Sequence, residues 1–273
     1  MGPNEQHAYA VAADQIRNVL GSAPKVAIIL GSGAGGLRDA LTEARSVKYS
    51  ELGLPTTSVT GHEGALIVGQ LSGVKVAMLA GRIHAYEGRP MEEVVRGVRA
   101  LAAWGVEILL MTSAVGSLKK ELAPGDLLQV TDHVNLMGVN PLVGPNIDAL
   151  GPRFPDLAQA YDPGLAADAH RIADDMDIQL HRGVYVAVRG PSFETPAEVR
   201  MFGGLGGAVV GMSVVPEAIA AVHAGLRVLT ISIVSNEGTG LSATPPNHSD
   251  VTATVARAAT RLCPLLERLV STW

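Results

Sequence analysis

The stretch KVAIILGSGAGGL, residues 25–37, decides how the rest of the chain is read. Its first part is apolar at consecutive positions rather than at alternate ones, as a strand covered on both faces must be. The run stops at a turn rich in glycine, the residue that tolerates the sharpest backbone conformations. A doubly covered strand that ends in a tight turn is the opening of an α/β sheet with helices on its faces.

Working outward from it, the same pattern recurs along the chain. The other strand candidates are GALIVGQL (64–71), VKVAMLA (74–80), VEILLMT (106–112), DLLQVTD (126–132), HRGVYVAV (181–188), GAVVGM (207–212) and RVLTISIVS (227–235). Between them lie stretches with helical spacing at 5–20, 91–104, 164–176, 195–205, 216–225 and 249–270. Pro196 and Pro216 suit a first helical turn, and Ser249 with Asp250 suits the opening of the last helix. This alternation predicts one α/β domain over 1–273, with a mixed, mostly parallel central sheet flanked by helices. Residues 138–163 carry Pro141, Pro145, Pro152, Pro155 and Pro163 and no period, so a long ordered excursion is expected there. Long loops in compact domains are usually functional.

Composition narrows the partners. The formal charge of −5 argues against a general nucleic-acid or anionic-membrane surface, which needs a basic face. It leaves room for one small anion held by a few local donors. Cys263 is the only cysteine, so neither an intrachain disulfide nor a cysteine-cluster metal site is possible. The start, MGPNEQHAYA, has no charged-then-apolar signal pattern, and the charge-poor stretch 201–216 is broken by glycines. A soluble, cytoplasmic protein is the expectation.

The strand ends point to a site. KVAIIL runs into Gly31-Ser32-Gly33, VKVAMLA into Arg82, His84 and Tyr86, and VEILLMT into Ser113-Ala114-Val115-Gly116. GAVVGM leads to Ser213 and RVLTISIVS to Asn236. In open α/β sheets the ligand crevice lies beyond the carboxyl ends of strands, so five segments direct donors and glycines to one rim. Arg82 and His84 stand two apart on an extended segment and therefore share a face, a suitable clamp for an oxyanion. Arginine at a buried strand end is costly unless it meets an anion.

Gly31, Gly33 and Gly36 also satisfy G-x-G-x-x-G, which a nicotinamide-dependent oxidoreductase would use. That fingerprint needs an acidic residue at the end of a second strand, and Glu51 in YSELGLPTT does not read as one. A phosphate cradle of backbone N–H groups and the Ser32 hydroxyl suits the turn better. Phe193 and Glu194 in RGPSFETPAE offer an aromatic platform beside an acceptor, which suits a flat heterocycle with N–H donors. His7, His170, His181 and His223 have no partner motif and read as surface histidines, and His133 reads as structural.

The segments ILGSGAGGL, GHEG, LAGRIHAYEG, TSAVGSL, DHVNLMGVNPLVGPN, GPSFETPAEVRM, VVGMSVVPEA and SNEG occur in this order. With them the chain, from about residue 25 to 270, resembles the trimeric purine nucleoside phosphorylases, a family that includes the methylthioadenosine phosphorylases. The resemblance implies a homotrimer that needs no metal or organic cofactor and uses inorganic phosphate as co-substrate. It implies reversible phosphorolysis of inosine, guanosine and their 2′-deoxy forms, with a methylthioadenosine-type enzyme as the alternative.

Carried onto this chain, the resemblance gives phosphate to Ser32, Arg82, His84, Ser213 and the backbone N–H of Ala114, with His62 alongside. Tyr86, Val210 and Met212 would line the nucleoside, and His248 would reach the ribose 5′-hydroxyl. Phe193 would stack on the base, Glu194 would accept from its N1–H, and Asn236 would face N7 and the 6-substituent. Asn236, His84 and Glu194 would thus carry catalysis. Phe154 of the proline-rich excursion would close a neighbouring subunit's site. Ser113, Val115 and Ser117 stand where the family commonly has Asn, Ala and Gly, and Glu237 where the higher-eukaryotic enzymes often have lysine. Asn rather than Asp at 236 favours 6-oxopurines, since an aspartate would better accept from a 6-amino group.

Overall fold

The computed structural model describes residues 8–31, 34–57, 63–242 and 248–273, with 248–250 described by their helical backbone alone. In chain order the elements are α1 (Ala8–Leu20), β1 (Val26–Leu30), α2 (Gly36–Asp39), β2 (Thr42–Lys48), β3 (Ala65–Leu71), β4 (Val74–Ala80), α3 (Met91–Trp104) and β5 (Ile108–Ser117). They continue with β6 (Leu127–Asn135), α4 (Pro163–Asp175), β7 (Leu180–Ala187), α5 (Pro196–Gly204), β8 (Gly207–Gly211), α6 (Val215–His223), β9 (Arg227–Glu237) and α7 (His248–Val270).

Nine strands form one mixed sheet in the order β2-β3-β4-β1-β5-β8-β7-β6-β9, and β9 also pairs along β5. Strands β5, β8, β7, β6 and β9 therefore close a circuit. Parallel pairings (β1–β4, β1–β5, β5–β9, β6–β7, β7–β8) outnumber antiparallel ones by one. The predicted fold class holds, with a narrower parallel majority than an open doubly wound sheet would have.

The apolar runs explain the layers. In β1, Ala27 and Ile29 pack with α1, α3 and α6, while Val26, Ile28 and Leu30 pack with α4 and α7. Strand β5 divides the same way, with Leu109 and Met111 on one face and Ile108 and Leu110 on the other. Each strand is buried on both sides, which is why its sequence shows no alternation.

Helix ends follow their local chemistry. α4 opens at Asp162, whose side chain accepts from Leu165 N, with Pro163 in the first turn. α5 has a capping box in which Thr195 and Glu198 bond each other's backbone. Residues 136–162 contain no helix or strand, as the proline-rich excursion requires.

Three departures from expectation have physical causes. β2 gives no hydrophobic signal because Val47 alone of its seven residues is buried at this sheet edge. β5 and β9 run past the apolar stretches 106–112 and 227–235 because pairing continues through small and polar residues. Ser113–Gly116 and Asn236 therefore lie within strands rather than beyond their ends.

Candidate active site

The site sits where β5 changes neighbours. Its early residues pair with β1 up to Met111, and on the same edge β8 joins only at Gly116 and Ser117. Between these points Thr112–Val115 presents an edge with no strand of the described residues beside it. A cavity of about 180 Å³ opens there. Gly31 permits the closure behind it: a Cβ on residue 31 would lie 2.3 Å from Thr112 O.

Of the sequence-predicted residues, Arg82, His84, Tyr86, Ala114, Phe193, Glu194, Val210, Met212, Ser213 and Asn236 all border this one cavity. Ser32 and His62 lie outside the described residues, as does the side chain of His248, whose backbone starts α7. Phe154 does not border it. That ring is 87% exposed on the excursion, beside a separate groove with Val143 and Arg153.

Part of the cavity lining carries an arginine and a histidine. The Arg82 guanidinium is buried, with Nη2 donating to Thr112 O at 2.7 Å and Nη1 3.2 Å from Glu217 Oε2. The anion that sequence reasoning demanded for a buried arginine is thus first a carboxylate of the protein's own. The His84 ring stacks on Tyr86 with centroids 4.7 Å apart, and His84 N donates to Glu87 Oε1 at 2.8 Å.

Backbone alternation adds a donor. Thr112 O faces Arg82, whereas Val115 O accepts from Ser235 Oγ on the β9 side at 3.0 Å. Successive residues of a strand turn their N–H and C=O to opposite edges, so Ala114, two past Thr112, aims its N–H at the open edge. Ser113, by contrast, directs its hydroxyl away to Ser232 Oγ at 2.8 Å.

The turn bearing Ser213 is strained. Val214 has φ 67 and ψ −56, an outlier for a β-branched residue, and Val215 N donates back to Ser213 O at 2.7 Å. Ser213 N donates to the buried Tyr185 phenol at 3.3 Å, and Val214 N to Glu217 Oε2 at 2.8 Å. Strain of this kind is concentrated at functional sites.

The same cavity is lined by Phe193 and Glu194, which lie between β7 and α5 in the chain, and by Val210 and Met212 of β8 and its following turn. Burial pushes the Glu194 carboxyl up; a backbone hydrogen bond opposes this and Glu198 adds to it. The Asn236 amide is fixed at both atoms. Oδ1 lies 2.8 Å from Ser235 Oγ, sharing that hydroxyl's single proton with Val115 O, and Nδ2 donates to Glu237 O at 3.0 Å.

Several residues escaped the sequence reading. Ser235 and Val251 line the cavity, and Tyr185 and Glu217 support it from behind. The signal for Glu217 was present, since an acidic residue inside the apolar VVPEAIAAV demands a buried cation. His223 is a correction. It is buried rather than on the surface, with Nε2 3.2 Å from Asn146 Oδ1, because α6 is covered by the excursion. His170 and His181 are half-buried and carry partners, Arg182 Nε at 2.9 Å and Asp126 Oδ2 at 3.5 Å. His133 Nδ1 lies 3.1 Å from the Tyr161 phenol, a structural contact as expected. Glu51 falls in a short 3₁₀ turn, Tyr49–Leu52, not at a strand end.

Among the described residues no group of three or more His, Cys, Asp or Glu side chains could hold a metal. None of their helices is long and apolar enough to cross a membrane.

Comparison with known proteins agrees over nearly the whole chain. The profile of the phosphorylase superfamily matches residues 25–271. The chain is 45% identical over 261 residues to purine nucleoside phosphorylase 1 of Bacillus subtilis (strain 168), covering 95% of this chain and 96% of that one. It is 42% identical to the purine nucleoside phosphorylase of Bos taurus, covering 88% and 86% of the two chains. It superposes on the crystal structure of Schistosoma mansoni purine nucleoside phosphorylase in complex with inosine with a TM-score of 0.93 and 38% identity, covering 98% and 96%.

Proposed function

The chain belongs to the phosphorylase superfamily and within it to the purine nucleoside phosphorylases, and we propose that its pocket exchanges inorganic phosphate for the base of inosine, guanosine and their 2′-deoxy forms. The products are free purine and (deoxy)ribose 1-phosphate, and the reaction is reversible. The observation that carries this reading is the juxtaposition in one cavity of Arg82, His84, Ser213 and the Ala114 edge with Phe193, Glu194 and Asn236.

The chemistry follows from that division. Breaking C1′–N9 leaves oxocarbenium character on the sugar and negative charge on the departing purine. Phosphate is the nucleophile, held beside C1′ by Arg82, His84, Ser213 and the Ala114 N–H, with Ser32 and His62 completing the cradle. Holding it there supplies the advantage of proximity. Tyr86, Val210, Met212 and His248 enclose the ribose. Phe193 covers the base, the Glu194 carboxylate accepts from N1–H, and Asn236 meets the charge that grows toward N7. Donors aimed at developing charge give the largest single gain. With phosphate as attacking group, the reaction calls for no metal, organic cofactor or side-chain nucleophile.

The enzyme acts as a cytoplasmic homotrimer of one domain per subunit. Phe154 and Val143 are exposed on the excursion, and Leu136, Phe193 and Met201 are exposed near the pocket mouth. Two different apolar patches on one chain suit a head-to-tail contact that closes into a ring. In that ring Phe154 of one subunit covers the mouth of the next.

The test is release of free base from inosine, guanosine, adenosine and methylthioadenosine, each with and without phosphate. Phosphate-dependent release from the first two is expected. Release without phosphate, or from the last two alone, overturns the assignment.

A further inference from the structure

We propose that Glu217 is a positioning residue for phosphate, one carboxylate oxygen fixing Arg82 and the Ser213 turn in a single arrangement. The inference rests on the reading of Arg82 and Ser213 as phosphate ligands. Neither residue needs Glu217 for its chemistry, but their relative placement does.

The geometry is specific. Arg82 follows β4 and Ser213 follows β8, strands that are not neighbours in the sheet. Glu217 joins α6, where it stands in the first turn, to both. Its Oε2 lies 3.2 Å from Arg82 Nη1 and accepts from Val214 N at 2.8 Å. The second bond holds the residue whose φ of 67 an isolated valine would avoid, and so holds Ser213 beside it. Arg82 in turn reaches Thr112 O on the open edge of β5, two residues before Ala114. Two components of the anion site therefore meet at one side chain, and Arg82 links them to the β5 edge that bears the third.

The carboxylate is an expensive choice for mere packing. Its side chain is 3% exposed, and a buried ion pair stabilises a fold weakly compared with apolar residues of the same volume. Burial pushes the Glu217 carboxyl up, while Arg82 and the Val214 N–H pull it down. What the pair supplies is orientation: a bidentate guanidinium binds an oxyanion well only when its plane is set.

Glu217→Gln separates this role from a structural one. The amide oxygen, placed as Oε2 is, still accepts from Val214 N–H and from Arg82 Nη1, but it carries no charge to match the guanidinium. Exchanging a charged acceptor for a neutral one here corresponds to about 5–15-fold. The KM for phosphate is expected to rise by that factor, while the KM for inosine changes less than about threefold. In an Arg82→Ala background the same change adds less than about threefold, because neighbours acting together are not additive. Equal shifts in both KM values, an unchanged phosphate KM, or full additivity with Arg82→Ala overturns the proposal. Should Glu217→Gln fail to fold, Glu217→Asp, which keeps the charge on a shorter arm, is measured in the same way. A phosphate KM raised more than the inosine KM supports the role, and parallel changes refute it. The unsubstituted enzyme separates the two levels: if its base release needs phosphate, a normal Glu217→Gln sinks the positioning role alone, whereas phosphate-independent release sinks the functional reading itself.

Discussion

Under the proposed function, replacing Asn236 by alanine removes the cavity-lining amide assigned to the charge that the leaving purine gathers. The side chain is half-buried at the end of β9, held at Oδ1 by Ser235 Oγ and at Nδ2 by Glu237 O. It arrives oriented, so little reorganisation is required as N7 takes up a proton. Deleting one such preorganised group costs about 10²–10³ in rate, or about 2.7–4 kcal/mol. The truncation leaves little damage behind, because Ser235 Oγ also lies 3.0 Å from Val115 O and keeps an acceptor. Ser235→Ala is the internal control: it loosens the amide without removing it and forfeits a neutral hydrogen bond worth about 0.5–1.5 kcal/mol, or about 2–13-fold. Steady-state hypoxanthine release from inosine at saturating phosphate measures both. Asn236→Ala is expected to lower kcat/KM at least tenfold more than Ser235→Ala, with thermal unfolding nearly unchanged. A rate within about threefold of the unsubstituted enzyme, or a loss no larger than that of Ser235→Ala, refutes the role of this amide.

The other predictions concern the remaining walls. Glu194→Gln should lower kcat/KM for inosine by about 10–150-fold, since a charged acceptor becomes a neutral one, and should abolish the acid-side fall of the pH–rate profile. Its effect on stability has the opposite sign: a carboxyl raised by burial favours folding below its unfolded pKa and loses that contribution as pH climbs through the raised value. The variant should therefore melt at or above the parent temperature at neutral pH, with the difference vanishing in acid. Gly31→Ala places a methyl 2.3 Å from Thr112 O, so β1 or β5 must shift at about 1–3 kcal/mol, read as a Tm lower by several degrees together with a raised phosphate KM. Phe154→Ala should leave each subunit's fold intact because the ring is exposed within its own chain. If the ring covers a neighbour's pocket, the inosine KM should rise about tenfold or more, reflecting about 1.5–3 kcal/mol of lost aromatic burial, while the phosphate KM stays.

Much of this architecture is legible in the residues. Runs such as KVAIIL and VKVAMLA declare themselves because a strand buried on both faces has no room for polar alternation. The strand termini then expose Arg82, His84, Ser213 and Asn236 to one rim, and the structure brings them together. What stays hidden is whatever periodicity does not encode. β2 buries only Val47, so hydrophobicity cannot mark it. The continuation of β5 and β9 through TSAVGS and NE depends on partners about 120 residues away. Glu217 illustrates the same limit: a buried acid shows that some cation awaits it, but only the fold says that it is Arg82, 135 positions earlier. His223 reads as a surface residue until the excursion is seen to lie over α6.

The closed circuit of β5, β8, β7, β6 and β9 has a consequence for the life of the chain during synthesis. β5 is complete by residue 117, yet the strand that pairs with it over most of its length begins at Arg227. Until then a nascent chain carries an uncovered apolar edge, the kind of surface that invites chaperones and misassembly. A truncated product ending before β9 lacks the wall that bears Asn236, so under the proposed function it should bind no nucleoside. Occupancy thus certifies a finished molecule, and at one hundred times its dissociation constant a bound ligand adds about 2.7 kcal/mol to the stability of that molecule alone.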